Sequence, residues 1–220
     1  KSLIGKNLSF RYSPHAPIVL KNINLTIPEG KVTAIVGDSG CGKSTLLKLL
    51  LRMYVPSYGE ISIGQMNINN IGLREWRSKC GCVMQDGKLF NDTIQNNIVL
   101  NEENIDYDAL KRATEVACIN KEIEAMPQGY QTTIGEMGRG LSGGQRQRLL
   151  IARAIYKKPD YLFLDEATNA LDTINEQKIV KALNNVFVNR PVIIIAHRLS
   201  TIRKADQIVV LNYGSIIQTG

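Results

Sequence analysis

Residues 37–45 read GDSGCGKST, a glycine-rich run closing on a lysine and two hydroxyls. It satisfies G-x-x-x-x-G-K-[ST] and lies between a β-branched stretch, KVTAIVG, and a leucine-rich one, KSTLLKLLLRM. In that setting the glycines let backbone N–H groups converge on phosphate oxygens. Lys43 adds positive charge near the terminal phosphates, and the Ser44 hydroxyl suits Mg²⁺. Gly37, Asp38, Ser39, Gly40, Cys41, Gly42, Lys43, Ser44 and Thr45 form this candidate cradle. A glycine-rich turn with an incidental lysine is the plain alternative, and the strand-to-helix context argues against it.

YLFLDE, 161–166, is an apolar run ending in two carboxylates. Asp165, at the strand end, suits Mg²⁺ coordination, and Glu166 is placed to polarise a water for in-line attack on a γ-phosphate. Standing alone, such a pair more often starts a helix. Beside a phosphate loop, catalysis is favoured.

A second glycine-rich patch, LSGGQ, occupies 141–145. Ser142 and Gln145 have capping-box spacing, so a helix start would account for both. Gly143 and Gly144 fit that account poorly, because glycine costs about 1 kcal/mol against alanine within a helix. Their presence suggests that something approaches the backbone closely, and a helix amino end with bare N–H groups is an anion site. With one cradle already complete, the second patch must serve another nucleotide, or the same nucleotide from another molecule.

The surrounding elements follow from periodicity. SFRY and VLKNINLTI, within 9–27, alternate as an antiparallel pair before the turn at Pro28-Glu29-Gly30. Strands are expected at 31–37, EISIG, 80–84, YLFLD, VIIIA and DQIVVLN, and helices at 43–53, LREWRSK, RQRLLIARAIYKK and about 173–188. Leu46, Leu47, Leu50 and Leu51 pack the first of these helices, and Pro159 closes the third. Between Asp86 and about Gly140 the apolar spacing is helical and β-branched runs vanish. Alternating strands and helices predict an α/β fold with a largely parallel sheet covered on both faces.

The 220 residues allow one large domain or two modest ones sharing a core. With 27 basic and 20 acidic residues the net charge is +7, a weak pointer to anionic partners since the cations are scattered. No apolar run approaches the roughly twenty residues that a membrane helix needs. The amino end shows no secretory signal, and a chain running from Lys to QTG is expected to be a piece of something longer. Cys41, Cys80, Cys82 and Cys118 make no disulfide scaffold, and with His15 and His197 the only histidines a Cys/His metal site is disfavoured.

GDSGCGKST, Gln85, LSGGQ, YLFLDEAT, NALD at 169–172 and His197 in IIIAHRLST resemble, in order and spacing, the nucleotide-binding domain of ABC transporters. The resemblance spans nearly the whole chain and implies a P-loop NTPase, RecA-like core with a parallel sheet, an antiparallel β-subdomain and a helical subdomain. Core and β-subdomain would take 1–85 and 157–220, and the helical part 86–156 with the signature patch. In that family two domains pack head to tail around two ATP, so LSGGQ of one copy meets the γ-phosphate held by the other.

The match also implies roles for single residues. Tyr12 looks like the aromatic that stacks on adenine, though it could be a plain strand tyrosine. Gln85 resembles the glutamine that senses Mg²⁺ and water, which alone would be an ordinary surface residue. His197 resembles the switch histidine at the γ-phosphate, or else a satisfied histidine at a strand end. Asp172 resembles the aspartate that crosses the dimer interface, or else a helix cap. Asn169 and Cys41 stand where serine, or for Cys41 also glycine, is common in the family.

DEAT and AHRLST look more like exporters than importers, and WRSKCGCVMQDGKLFNDTI and DEATNALD resemble bacterial peptide exporters of the bacteriocin type. Those often carry a leader-cleaving peptidase, for which this chain has no motif. The implied partners are a second copy, a transmembrane domain and Mg-ATP at the cytoplasmic face of a bacterial inner membrane, with no nucleic acid. A nucleic-acid-linked ATPase of the same superfamily is the alternative; its chromosome-maintenance members carry coiled coils, and no sustained heptads occur here. A module that holds ATP without hydrolysing it is disfavoured by Glu166 and His197.

Overall fold

The computed structural model describes residues 1–100, 102–135, 138–167 and 169–220, with the side chain of Ser200 left aside. Thr168 of the YLFLDEAT motif lies outside the described residues. In chain order the elements begin with β1 (Leu3–Phe10), β2 (Leu20–Ile27), β3 (Val32–Val36) and α1 (Lys43–Leu50). There follow β4 (Tyr58–Ile63), β5 (Met66–Asn67), α2 (Leu73–Ser78) and β6 (Cys80–Val83). The middle of the chain holds β7 (Asp92–Thr93), α3 (Ile94–Val99), α4 (Tyr107–Val116), α5 (Asn120–Glu124), β8 (Thr133–Ile134) and α6 (Gly143–Tyr156). The last elements are β9 (Tyr161–Asp165), α7 (Thr173–Val186), β10 (Val192–Ile195), α8 (Leu199–Ile202), β11 (Gln207–Asn212) and β12 (Ser215–Thr219).

Two compact units result, one of Lys1–Cys80, Asp160–Asp165 and Phe187–Gly220, the other of Gly81–Pro159 and Glu166–Val186. The seams therefore lie at 80/81, 159/160, 165/166 and 186/187; the sequence reading put its bounds at 85/86 and 156/157 and kept all of 157–220 with the core, whereas Glu166–Val186 groups with the second unit.

In the first unit β11, β3, β10 and β9 are neighbours in that order and parallel, and β12 joins β11 antiparallel. Every residue of β9 and β10 is buried, as expected of parallel strands covered on both faces. A second, antiparallel sheet runs β2-β1-β4-β5. Leu46, Leu47 and Leu50 of α1 are fully buried, and Trp76 of α2 donates its indole N–H to the Leu50 carbonyl at 3.1 Å.

β1 begins earlier than read and ends at Phe10, so Arg11 and Tyr12 of SFRY leave the ladder. A register shift between Gly5 and Leu8 hides its start, and beyond its end the Arg11 N–H turns to Ser57 Oγ at 3.2 Å. The Tyr12 alternative of a plain strand tyrosine is thereby corrected. The short strands β5, β7, β8 and β12 went unread, being too brief or too near the end to show a period.

In the second unit α6 is the hub, packed by α3 and α4. Arg153 of α6 donates to the carbonyls of Asn97 (2.7 Å) and Lys88 (2.8 Å) and to Asn97 Oδ1 (2.9 Å). Asn97, itself buried, donates to the carbonyls of Phe90 and Thr93 and so shapes the turn after Gln85.

Candidate functional site

In the first unit β3 runs directly into the glycine-rich loop. At Gly37 φ is 153°, and a Cβ would stand 2.1 Å from the Leu211 carbonyl oxygen, so no side chain fits. Gly42 (φ 107°) precedes α1, whose amino end has no side-chain cap and no acidic residue in its first turn. Those N–H groups, the helix dipole and Lys43 all favour an anion. Lys43 is 6% exposed, and its Nζ donates to the carbonyls of Gly37 and Asp38, both at 2.8 Å, which draws the loop around the ammonium. Asp38, Ser39 and Gly40 are exposed on the loop, and among the described residues a Cβ at Gly40 would meet nothing within 4 Å. Cys41 is buried, with Sγ 3.9 Å from Lys43 Nζ.

The parallel register aligns the other groups of this unit. Asp165 pairs with Ile195 and Ile195 with Ile35, so Gly37, Asp165 and His197 all stand at carboxyl ends of adjacent parallel strands, where ligands of open α/β sheets bind. Asp165 is buried, Ser44 half-buried and His197 exposed. Ser44 and Asp165 are hard oxygen donors. Among the described residues no group of three or more His, Cys, Asp or Glu could hold a metal by itself. Tyr12 is half exposed, its hydroxyl is 2.8 Å from Thr45 Oγ1, and its ring meets Phe10 (4.9 Å) and Tyr54 (5.3 Å) edge to face.

The second unit carries the remaining candidates. Glu166 adopts φ 52°, a left-handed conformation unusual for a residue with a Cβ. Its Oε2 accepts from Asn169 Nδ2 at 2.6 Å and from Gln85 Nε2 at 3.4 Å, so the fold brings Gln85 and Glu166 together. Asp172 accepts from the Asn175 backbone N–H (2.9 Å) and from its side-chain amide (2.7 Å), which holds its carboxyl below the usual range and caps α7.

Ser142 and Gln145 form the full capping box: Ser142 Oγ accepts from the Gln145 N–H at 3.1 Å and Gln145 Oε1 from the Ser142 N–H at 2.9 Å. Gln145 Nε2 also donates to Glu122 at 2.8 Å, so the whole carboxamide is engaged within the chain. A Cβ at Gly144 would press the Ala170 carbonyl at 3.3 Å, a local reason for glycine there. At Gly143 a Cβ would meet only ordinary contact, 3.5 Å from Ala170 Cβ. Among the described residues nothing gives a steric reason for glycine at 143.

Two groups of residues escaped the sequence reading. Glu122 of α5 pairs with the buried Arg148 of α6, which also donates to the carbonyls of Cys118 and Gly144. Gln147 clasps the loop after Glu166. Both act across sequence gaps that no local pattern reveals. Burial pushes the Glu122 carboxyl up, and the hydrogen bonds from Arg148 and Gln145 more than reverse this, leaving it lowered from 4.5. A depressed carboxylate stabilises the fold above its unfolded value and loses that contribution as pH falls through the folded one. Glu122→Gln is therefore expected to lower the melting temperature at pH 7, with the difference from wild type shrinking in melts below about pH 4.

A phosphate loop joining a parallel strand to a helix, with a buried aspartate at the end of a nearby strand, defines a P-loop nucleotide-binding protein. The family model described as ABC transporter matches residues 20–169, and the chain belongs to that family as an ATP-binding and ATP-hydrolysing domain. It is 46% identical over 215 residues to the exotoxin translocation ATP-binding protein PaxB of Pasteurella aerogenes, covering 98% of this chain and 30% of that protein. It is likewise 46% identical over 216 residues to the mitochondrial iron-sulfur clusters transporter ATM1 of Chaetomium globosum, covering 97% of this chain and 36% of the other.

Among solved structures, a bacterial Atm1-family ABC exporter with ATP bound matches at TM-score 0.95 and 41% identity, over all of this chain and 38% of that one. The chain thus spans about a third of the length of these relatives. The nucleic-acid alternative gains no support from them. Among the described residues no helix is long and apolar enough to cross a membrane.

Proposed function

We propose that the chain is the motor of a bacterial exporter: two copies close head to tail around two ATP, and hydrolysis reopens them to drive a transmembrane domain. In this reading Tyr12 stacks on adenine, and residues 37–45 hold the phosphates. Glu166 takes a proton from the attacking water, Gln85 helps orient that water, and His197 contacts the γ-phosphate. Ser142, Gly143, Gly144 and Gln145 meet the γ-phosphate held by the partner, and Asp172 faces the interface. The two glycine-rich patches are then halves of one site completed in trans.

The observation that carries this reading is Gly143, a helical glycine that among the described residues has room for a methyl group. Gly143→Ala is expected to hold or raise stability, by up to about 1 kcal/mol, yet to lower ATP turnover because the added methyl, beside Ala170, thickens the helix start that is to meet the partner's nucleotide. Thermal melts and phosphate release measured together check this, and wild-type turnover in the variant would remove the reason for the patch.

Mg²⁺ fits the donor set. Ser44, Asp165, usually through water, and Gln85 would hold it, oxygen donors of the kind a nucleotide-bound Mg²⁺ takes beside the phosphates. When bound it supplies charge neutralisation at the β- and γ-phosphates. The domain would sit at the cytoplasmic face of the membrane. Relatives named for toxin translocation and for iron-sulfur cluster transport match equally well, so a peptide or protein cargo is proposed on the toxin relatives together with WRSKCGCVMQDGKLFNDTI. A leader-cleaving peptidase has no support and is not proposed.

The test is phosphate release from Mg-ATP across a wide range of protein concentration. Specific activity that rises with concentration is expected. A rate strictly proportional to protein, in a sample that light scattering finds monomeric, would overturn the trans site.

A further inference from the structure

The loop that follows Glu166 is fastened to the signature helix by side-chain and backbone contacts that no role assigned above explains. Gln147 Nε2 donates to the Glu166 carbonyl at 3.3 Å, and Gln147 Oε1 accepts from the Ala170 N–H at 2.9 Å. One carboxamide thus grips both ends of the five-residue stretch 166–170. Gln147 lies four residues beyond Gly143, on the same face of α6 one turn on. Ala170 runs past the first turn, 3.5 Å from the Cβ position of Gly143, with its carbonyl 3.3 Å from that of Gly144.

Glu166 is held with φ at 52°, a conformation that persists only where its surroundings impose it. The bond on its carbonyl is one such imposition. Asn169 closes the loop from within, its backbone N–H on the Glu166 carbonyl at 3.2 Å and its amide on Oε2 at 2.6 Å.

We propose that Gln147 is a positioning residue that couples the two nucleotide sites of the dimer. This rests on the reading of Glu166 as the base and of LSGGQ as the contact to the partner's nucleotide. On that reading Glu166 serves the ATP of its own phosphate loop, while α6 of the same chain meets the ATP of the partner. Gln147 joins the two within one chain. A phosphate seated on the first turn of α6 bears on Ala170 and, through the clamp, on the backbone that aims the Glu166 carboxylate. Occupation of one site thereby sets the geometry of the other, and hydrolysis becomes cooperative in ATP.

The experiment uses the full-length protein and compares wild type, Gln147→Met, Gln147→Glu and Glu166→Gln. Methionine keeps the length of the side chain and removes both hydrogen bonds, while glutamate keeps the acceptor for Ala170 and loses the donor to Glu166. For Gln147→Met the expected result is a kcat lower by about tenfold or more, an ATP Kd within about twofold of wild type and a Hill coefficient that falls to about 1. Gln147→Glu falls between it and wild type, and answers the question by itself if the methionine variant does not fold.

Unchanged kcat and Hill coefficient in both variants overturn the clamp. So does a wild-type Hill coefficient of 1, or a parallel loss of kcat, affinity and melting temperature, which would mark a structural role only. Glu166→Gln separates the two failures. If it still turns over ATP, the reading of Glu166 fails and the clamp with it; if it is inactive while Gln147→Met equals wild type, only the clamp fails.

Discussion

Glu166→Gln is expected to bind ATP with wild-type affinity and to lose steady-state turnover by about 10²–10⁴-fold, the usual contribution of a positioned general base. The substitution exchanges one carboxylate oxygen for an amide and changes little else in shape. The backbone of the loop keeps its support, because Gln147 bonds to the carbonyl and not to the side chain of residue 166. What is lost is the ability to accept a proton from water. The Asn169 and Gln85 amides both donate to Oε2 and can still donate to the amide oxygen of the variant. Nucleotide binding by equilibrium titration and single-turnover hydrolysis check the two halves separately. Hydrolysis at the wild-type rate would remove Glu166 from the role of base.

Lys43→Met should weaken ATP binding by about 10-fold or more and turnover further still, since a charge-assisted hydrogen bond contributes about 1.5–3 kcal/mol. Methionine retains an apolar stem in a position that is 6% exposed and removes the ammonium. The Gly37 and Asp38 carbonyls lose their shared donor, so the loop loosens at the end where phosphate arrives. The loss exceeds that from any single backbone N–H of the cradle, because Lys43 carries a full charge and also closes the loop. Affinity measured with ATP and with AMP distinguishes the causes: a charge effect at the terminal phosphates weakens ATP far more than AMP. Equal weakening of both would mean that the loop had collapsed.

Much of the machinery lay open in the sequence because its signals are local. The phosphate loop must follow a strand and open a helix within about ten residues, and GDSGCGKST between VTAIV and LLKLL meets that condition on its face. YLFLD and VIIIA are uninterrupted apolar runs, as strands buried on both faces must be, and the four-residue spacing of Ile151 and Ile155 announced α6. Ser142 and Gln145 carried their capping box in their spacing, and the structure realises it.

The contacts that orient those groups had no such signal. Gln147 meets Glu166 across nineteen residues and Gln145 meets Glu122 across twenty-three, distances at which no period survives. Tyr12 is lifted out of its strand by a loop whose course depends on Ser57 and Thr45 from elsewhere in the chain. The candidate residues were therefore legible in short stretches of sequence, where backbone geometry and residue type suffice. How the candidate base is aimed, and what it is tied to, was decided by packing, because hydrogen bonds between distant segments exist only once the fold has brought them together.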